Sequence, residues 1–160
     1  MILDGKKEAA LLREEIKKEI LEIKKKTDKS PGLSVILIGD FAPSQIYVKN
    51  KEKNSKEVGI TSEVIKYSKE VKESEILEKI EELNNNDNVS GILVQLPLPA
   101  HFSKEKVINA IKPSKDVDGF HPINVGNLSL GYKSIIPCTP LGCLLLIKNV
   151  EKNLTGKHAV

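Results

Sequence analysis

Tryptophan is absent from the 160 residues, and phenylalanine and tyrosine contribute three side chains each. Arginine is almost absent: Arg13 stands alone, and lysine supplies the rest of the 25 basic residues. Nucleic-acid readers depend on arginine for bidentate contacts and on aromatics for base stacking, so this inventory argues against nucleic acid as a partner. The charge excess is small, +3 from 25 basic and 22 acidic residues. Lysines alternate with glutamates in LREEIKKEILEIKKK and VKESEILEKIEEL, the pattern of solvated helix faces rather than of a phosphate-binding stripe. No apolar run approaches the ~18 residues of a membrane span. The opening MILDGKKEAALLREE turns charged at once and lacks the apolar centre of a secretory signal. The two cysteines form no disulfide framework and read as reduced, cytosolic thiols. Neither G-x-G-x-x-G nor G-x-x-x-x-G-K-[ST] occurs, so a dinucleotide fold built from these residues alone lacks its phosphate turn.

What remains is an ordinary globular composition, 39% hydrophobic and 29% charged, in a chain of one-domain length. Helical spacing of Ala9, Leu12, Ile16, Ile20 and Ile23 predicts a first helix over about 6–25. After the Pro31-Gly32 break, LSVILI (33–38) is a short β-branched run suited to a buried strand. Ala42-Pro43-Ser44 opens a second helix that Gly59 stops. TSEVIK (61–66) reads as a strand, 72–83 as a helix ended by the Asn84–Asn88 run, and GILVQL (91–96) as a second buried strand cut off by Pro97 and Pro99. Ser103 caps a short helix to Ile111. Residues 112–132 read as loop, long enough to suggest function. Thr139, as cap, and Pro140 start a last helix. Its Leu141, Leu144, Leu145, Leu146, Ile147 and Val150 are apolar nearly all round and call for burial on several sides. Residues 154–160 turn towards a further strand. Strands alternating with helices predict an α/β domain with a largely parallel sheet.

Three places could carry chemistry. Ser44, Tyr47 and Lys51 share one face of the second helix. A ring one turn from a lysine strips water from the ammonium and favours general acid–base work; equally, Lys49, Lys51, Lys53 and Lys56 read as plain surface lysines. Gln95 is the one polar residue in GILVQL, at the carboxyl end of a strand where open α/β sheets place ligands; equally, it caps loop backbone. Lys115-Asp116-Val117-Asp118-Gly119-Phe120-His121-Pro122 gathers two acids, a glycine and a histidine. D-x-D hints at a metal, but no further ligand falls at metal spacing, and an Asx-rich turn reads equally well. Cys138 and Cys143 lack a second pair for zinc. His101 and His158 show no recognisable partners.

The segments PSQIYVKNKEKNSKEVGI, EKIEELNNNDNVSGILVQLPLP, KPSKDVDGFHPINVGNL and PCTPLGC give the chain, over essentially its whole length, a close resemblance. It resembles the bifunctional methylenetetrahydrofolate dehydrogenase/methenyltetrahydrofolate cyclohydrolase family of one-carbon metabolism. That resemblance implies a three-layer α/β/α domain of the amino-acid-dehydrogenase-like N-terminal type. Residues 1–150 would be the folate-binding catalytic domain, and 151–160 the start of a Rossmann-type NADP-binding domain whose glycine-rich turn would lie past TGKHAV. It implies oxidation of 5,10-methylenetetrahydrofolate with NADP, then hydrolysis of the methenyl product to 10-formyltetrahydrofolate. The chain would carry the folate site and not the NADP site, and would be inactive alone as a dehydrogenase. By resemblance Lys51 is the catalytic lysine, Tyr47 packs along the aminobenzoyl ring, and Gln95 orients Lys51. Asp118 holds the pterin, and Ser44 with Val94, Gln95, Leu96 and Pro97 lines the cleft. The partners implied are tetrahydrofolate derivatives, with no metal, nucleic acid or membrane. The parent would be a cytoplasmic homodimer serving purine, methionine and histidine biosynthesis, and without its second domain the last helix would expose an apolar patch. The alternative is a pterin-binding module of the same fold without catalysis, for which the lysine would be unnecessary.

Overall fold

The computed structural model describes residues 2–158. The elements run α1 (Gly5–Thr27), β1 (Gly32–Ile38), α2 (Ala42–Val58), β2 (Thr61–Tyr67), α3 (Glu73–Asn85), β3 (Gly91–Val94), α4 (Lys104–Ala110), α5 (Pro122–Ser129) and α6 (Cys138–Lys148). The strands form a parallel sheet in the order β2-β1-β3. Alternation along β1 sorts its side chains between two cores. Ile36 and Ile38 pack with Ile76 and Ile80 of α3 and Val107 of α4, whereas Val35 and Leu37 pack with Val48 of α2 and Leu93. Helices therefore cover both faces, and α1 lies outside α2, its Arg13 guanidinium 3.7 Å from Glu57.

This order places a topological switch at the carboxyl ends of β1 and β3. The chain leaves β1 through α2 towards β2, then crosses through α3 to pair β3 on the opposite side of β1. Such a reversal opens a crevice between the two strand ends, the general ligand position of open α/β sheets. The sheet has one further stitch: Asp116 bridges Ile92 in parallel, with the Ile92 amide donating to Lys115 O at 2.8 Å. The chain can come so close because residue 91 is glycine; a Cβ there would collide with Val117 Cγ1.

Local chemistry explains most boundaries. Gly59, left-handed at φ 93°, ends α2. Ser103 Oγ accepts from the Lys106 amide and caps α4. The last carbonyls of α3 are met by lysines from the loop after α4: Lys115 Nζ donates to Leu83 O at 3.0 Å and Asn86 O at 2.8 Å, and Lys112 Nζ donates to Asn84 O at 3.3 Å.

Four expectations need correction. The 112–132 stretch contains a helix, α5, opened by the His121 ring accepting from the Ile123 amide and by Pro122 in the first turn. The last helix starts at Cys138 with Pro137 at the cap position, so Thr139 lies inside it. Of the α1 stripe only Ile20 is buried, because α1 meets the domain along one narrow seam. His101 does have a partner, its Nε2 lying 3.0 Å from Val71 O. α6 has no buried residue, and Leu145 and Ile147 are exposed. Residues 151–158 form turns, and the strand expected near the end falls largely on Ala159 and Val160, which lie outside the described residues. No helix among the described residues is long and apolar enough to cross a membrane.

Candidate functional site

Ser44, Val48, Lys51, Ser55 and Val58 recur at alternating spacings of four and three, so they occupy one face of α2. Ser44, Val48, Ser55 and Val58 are buried and Lys51 is half-buried, while Lys49, Lys53 and Lys56 are exposed. Position thus separates Lys51 from its neighbours: its stem runs along the face turned to the sheet. Lys56, by contrast, pairs with Glu52 at 2.7 Å on the surface. Tyr47 precedes Val48 and lies one turn from Lys51, with 64% of its surface exposed.

Gln95 follows β3, and its amide N–H still donates to Ile36 O at 2.9 Å, which holds it at the crevice between β1 and β3. Its side-chain Nε2 donates to Leu96 O at 2.8 Å, and Ser44 Oγ donates to the same carbonyl at 3.4 Å. Ser44, Gln95 and Leu96 are thereby brought together, and the Leu96-Pro97 turn is tied to the first turn of α2. Gln95 Oε1 is buried and accepts nothing. An unsatisfied buried acceptor costs about 1–3 kcal/mol, so this oxygen is poised for a donor. Gln95 and Lys51 form no hydrogen bond in this structure.

Asp118 closes the group from the loop beside β3. It is half-buried. Burial pushes its carboxyl above the ordinary aspartate range, the positive charge of Lys51 draws it back, and the Asp116 carboxylate adds a smaller upward push. The charge of Lys51 on α2 thus reaches the Asp118 carboxyl on the loop. A narrow cavity beside Asp118 is bounded by Val94, Leu96 and Phe120 and, from α4, by Val107 and Ile108.

The D-x-D motif resolves as a turn. Asp116 is 3% exposed. Its Oδ1 accepts from the Gly119 amide at 3.1 Å, and its Oδ2 accepts from the His121 amide at 2.8 Å and Asn124 Nδ2 at 2.9 Å. Among the described residues no three potential ligands cluster for a metal. Gly119 sits at φ 69°, and a Cβ there would meet Ile135 O at 2.9 Å, so the turn requires glycine. Asn124 and Ser134, whose Oγ donates to Asn124 O at 2.8 Å, escaped the sequence reading; the Asp-x-x-Gly spacing of an Asx turn was the available signal.

The arrangement offers an amine, an amide oxygen and a half-buried carboxylate around a crevice edged by Val94, Leu96 and Pro97. Residues 3–118 match the family described as tetrahydrofolate dehydrogenase/cyclohydrolase, catalytic domain. The "Bifunctional protein FolD" of Pelagibacter ubique is 62% identical over 160 residues, all of this chain and 57% of that protein. The solved structure of the bifunctional methylenetetrahydrofolate dehydrogenase/cyclohydrolase FolD of Campylobacter jejuni superposes with a TM-score of 0.94 at 47% identity, over 98% of this chain and 56% of that one. The Trypanosoma brucei methylenetetrahydrofolate dehydrogenase-cyclohydrolase, solved with NADP cofactor and inhibitor, gives 0.94 at 30% identity, over 98% and 54%. The chain spans about half the length of the curated relatives it matches.

Proposed function

The chain belongs to the tetrahydrofolate dehydrogenase/cyclohydrolase family, and on that premise we propose that it forms the folate side of a bifunctional active site. The protein carrying it oxidises 5,10-methylenetetrahydrofolate to the methenyl form, with NADP as hydride acceptor, and hydrolyses that product to 10-formyltetrahydrofolate. Residues 1–150 act as the folate-binding catalytic unit and 151–160 lead into the nucleotide-binding part. The parent works in the cytoplasm as a homodimer and feeds purine, methionine and histidine biosynthesis. The observation that carries the reading is the position of Lys51, the one half-buried lysine on the sheet-facing side of α2, whose charge reaches Asp118.

Hydrolysis adds water to a cationic carbon between two nitrogens. As the oxygen bonds to that carbon, a base must take the water proton; the ring then opens to the formyl amide as the carbinol gives up its proton and the departing nitrogen takes one, with one proton in all released to solvent. A positive ammonium is repelled by the cation, whereas the neutral amine accepts the proton. Once folate is bound, Gln95 Oε1 takes a hydrogen from Lys51 Nζ and aims its lone pair, and Tyr47 shields the amine by lying along the aminobenzoyl ring. The pterin's amino and ring N–H groups donate to the two oxygens of Asp118 as a bidentate pair. Ser44 acts at one remove, fixing Leu96 O and with it the cleft wall at Val94, Leu96 and Pro97.

The nucleotide finds no cradle among the described residues. The turn from β1 into α2 is Gly39-Asp40-Phe41-Ala42-Pro43. It places an acid beside the helix start and a proline, with no N–H, in the first turn, so it does not suit a pyrophosphate. These residues supply only the folate half of the hydride transfer.

A pterin-binding module is the second reading, supported by the direct match of Asp118 to a donor pair. Calorimetric titration with 5-formyltetrahydrofolate, beside an assay of methenyl hydrolysis, separates the two. The enzyme reading expects Lys51→Met to bind the folate and lose hydrolysis, and Asp118→Ala to bind it measurably but more weakly. Hydrolysis at the native rate by Lys51→Met removes the lysine from the chemistry, folate binding without hydrolysis by the wild type leaves only the module, and native affinity in Asp118→Ala removes both.

A further inference from the structure

The loop that presents Asp118 is built more rigidly than a surface connection requires. On its upstream side Lys112 and Lys115 clasp the end of α3, and the Lys112 amide donates to the buried Asn84 Oδ1 at 2.9 Å. Lys115 O takes the Ile92 amide of β3. Downstream, everything converges on one carboxylate: the Gly119 and His121 amides and Asn124 Nδ2 all end on Asp116. Asn124 Nδ2 also donates to Pro113 O at 2.9 Å. The two amides flank Asp118 on its C-terminal side, and the Asp116 backbone fixes its N-terminal side through the bridge to Ile92.

We infer that Asp116 is a positioning residue for the folate site, its buried carboxylate fixing the direction in which Asp118 faces the crevice. The chemistry favours a carboxylate at this place. Three donors converge on two oxygens, and only an acceptor-only group satisfies all of them. Asparagine has nearly the same shape but turns one oxygen into an NH2 that faces donors. It keeps the Gly119 bond through its remaining oxygen and opposes the His121 amide and Asn124 Nδ2, or the reverse. Either way the turn opens on one side of Asp118, and a bidentate contact is sensitive to small misplacements. The inference rests on the assignment of Asp118 to the pterin.

A double-mutant cycle tests it by titrating 5-formyltetrahydrofolate into the protein carrying this chain, with thermal melts in parallel. Asp116→Asn should raise the dissociation constant roughly tenfold. It should have no further effect once Asp118 is alanine, because it acts only through that side chain. Asn124→Ala, which removes one of the three donors to Asp116 together with the bond to Pro113 O, should show a smaller increase with the same dependence on Asp118, and it serves if Asp116→Asn fails to fold. Unchanged affinity with a lowered melting temperature would make Asp116 a purely structural residue, and equal losses with and without Asp118 would also overturn the inference. If Asp118→Ala alone leaves affinity intact, the pterin assignment itself fails, and that result is read independently of Asp116.

Discussion

Replacing Gly91 by alanine tests how tightly the site loop is laid against the sheet. The added Cβ would run into Val117 Cγ1, while its next neighbour, Leu33 Cδ1, is 3.6 Å away. Valine is stiff at χ1 and cannot swing aside. Val117 is also packed against the Val35, Leu37 and Leu93 cluster, so either β3 or the 115–118 segment must shift. The seam between them is the Ile92 amide to Lys115 O bond at 2.8 Å and the Asp116 bridge. Overpacking of this kind costs about 1–3 kcal/mol. For a chain of this size a loss of about 2 kcal/mol lowers the thermal midpoint by roughly 4–8 °C. Because Val117 adjoins Asp118, affinity for 5-formyltetrahydrofolate should fall as well. Val117→Ala in the same chain removes the colliding methyl groups and should recover most of the loss. Urea unfolding of the wild type, both single variants and the double variant measures the coupling. A Gly91→Ala midpoint equal to the wild type, or a double variant that loses as much as the two singles added together, would refute the packing described.

Two pH effects follow from the carboxylates. Burial raises the Asp118 carboxyl above its ordinary value, so its ionised form, which accepts the pterin donors, is lost at a higher pH than for a free aspartate. Folate affinity should therefore weaken on acidification before ordinary carboxylates titrate, and Asp118→Asn should abolish that limb; a titration series in which wild type and variant share one pH profile contradicts it. The same shift makes the Asp118 contribution to folding largest below the unfolded value and lost as pH rises through the raised one. Glu73 has the opposite sign. Its carboxylate accepts from the Ser103 amide and pairs with Lys106, which lowers it below the ordinary glutamate range. Its stabilisation is present above the unfolded value and lost as pH falls through the lowered one. Glu73→Gln should flatten the acid side of the stability curve in urea melts, and an unaltered curve would count against the link between α3 and α4.

Much of the architecture was legible because single features decided it. LSVILI read as a buried strand, GILVQL did so as far as Val94, where β3 ends before Gln95 and Leu96, Gly59 stopped α2, and Ser103 capped α4. The 112–132 stretch misled because α5 carries no apolar stripe of its own: Pro122 and the His121 ring start it, and its buried residue is the polar Asn124. At the last helix, Thr139-Pro140 imitates a cap, while the backbone has already turned helical at Cys138. Within the site, Lys51 looked like any other lysine until the buried stripe of α2 singled it out. Asp116 and Asp118 differ by two positions and lie in different surroundings, one buried among three donors and the other half-buried. Spacing does not separate them, since the difference arises from which neighbouring backbone amides each can reach.

The most direct measurement compares hydrolysis of 5,10-methenyltetrahydrofolate by the protein carrying this chain with that of its Lys51→Met and Lys53→Met variants at saturating substrate. Lys51→Met should lose about 10²–10⁴-fold in turnover, the scale of a missing general base, while Lys53→Met, exposed on the same helix, keeps the native rate. Equal turnover in all three proteins would mean that the amine facing Asp118 takes no part in the chemistry.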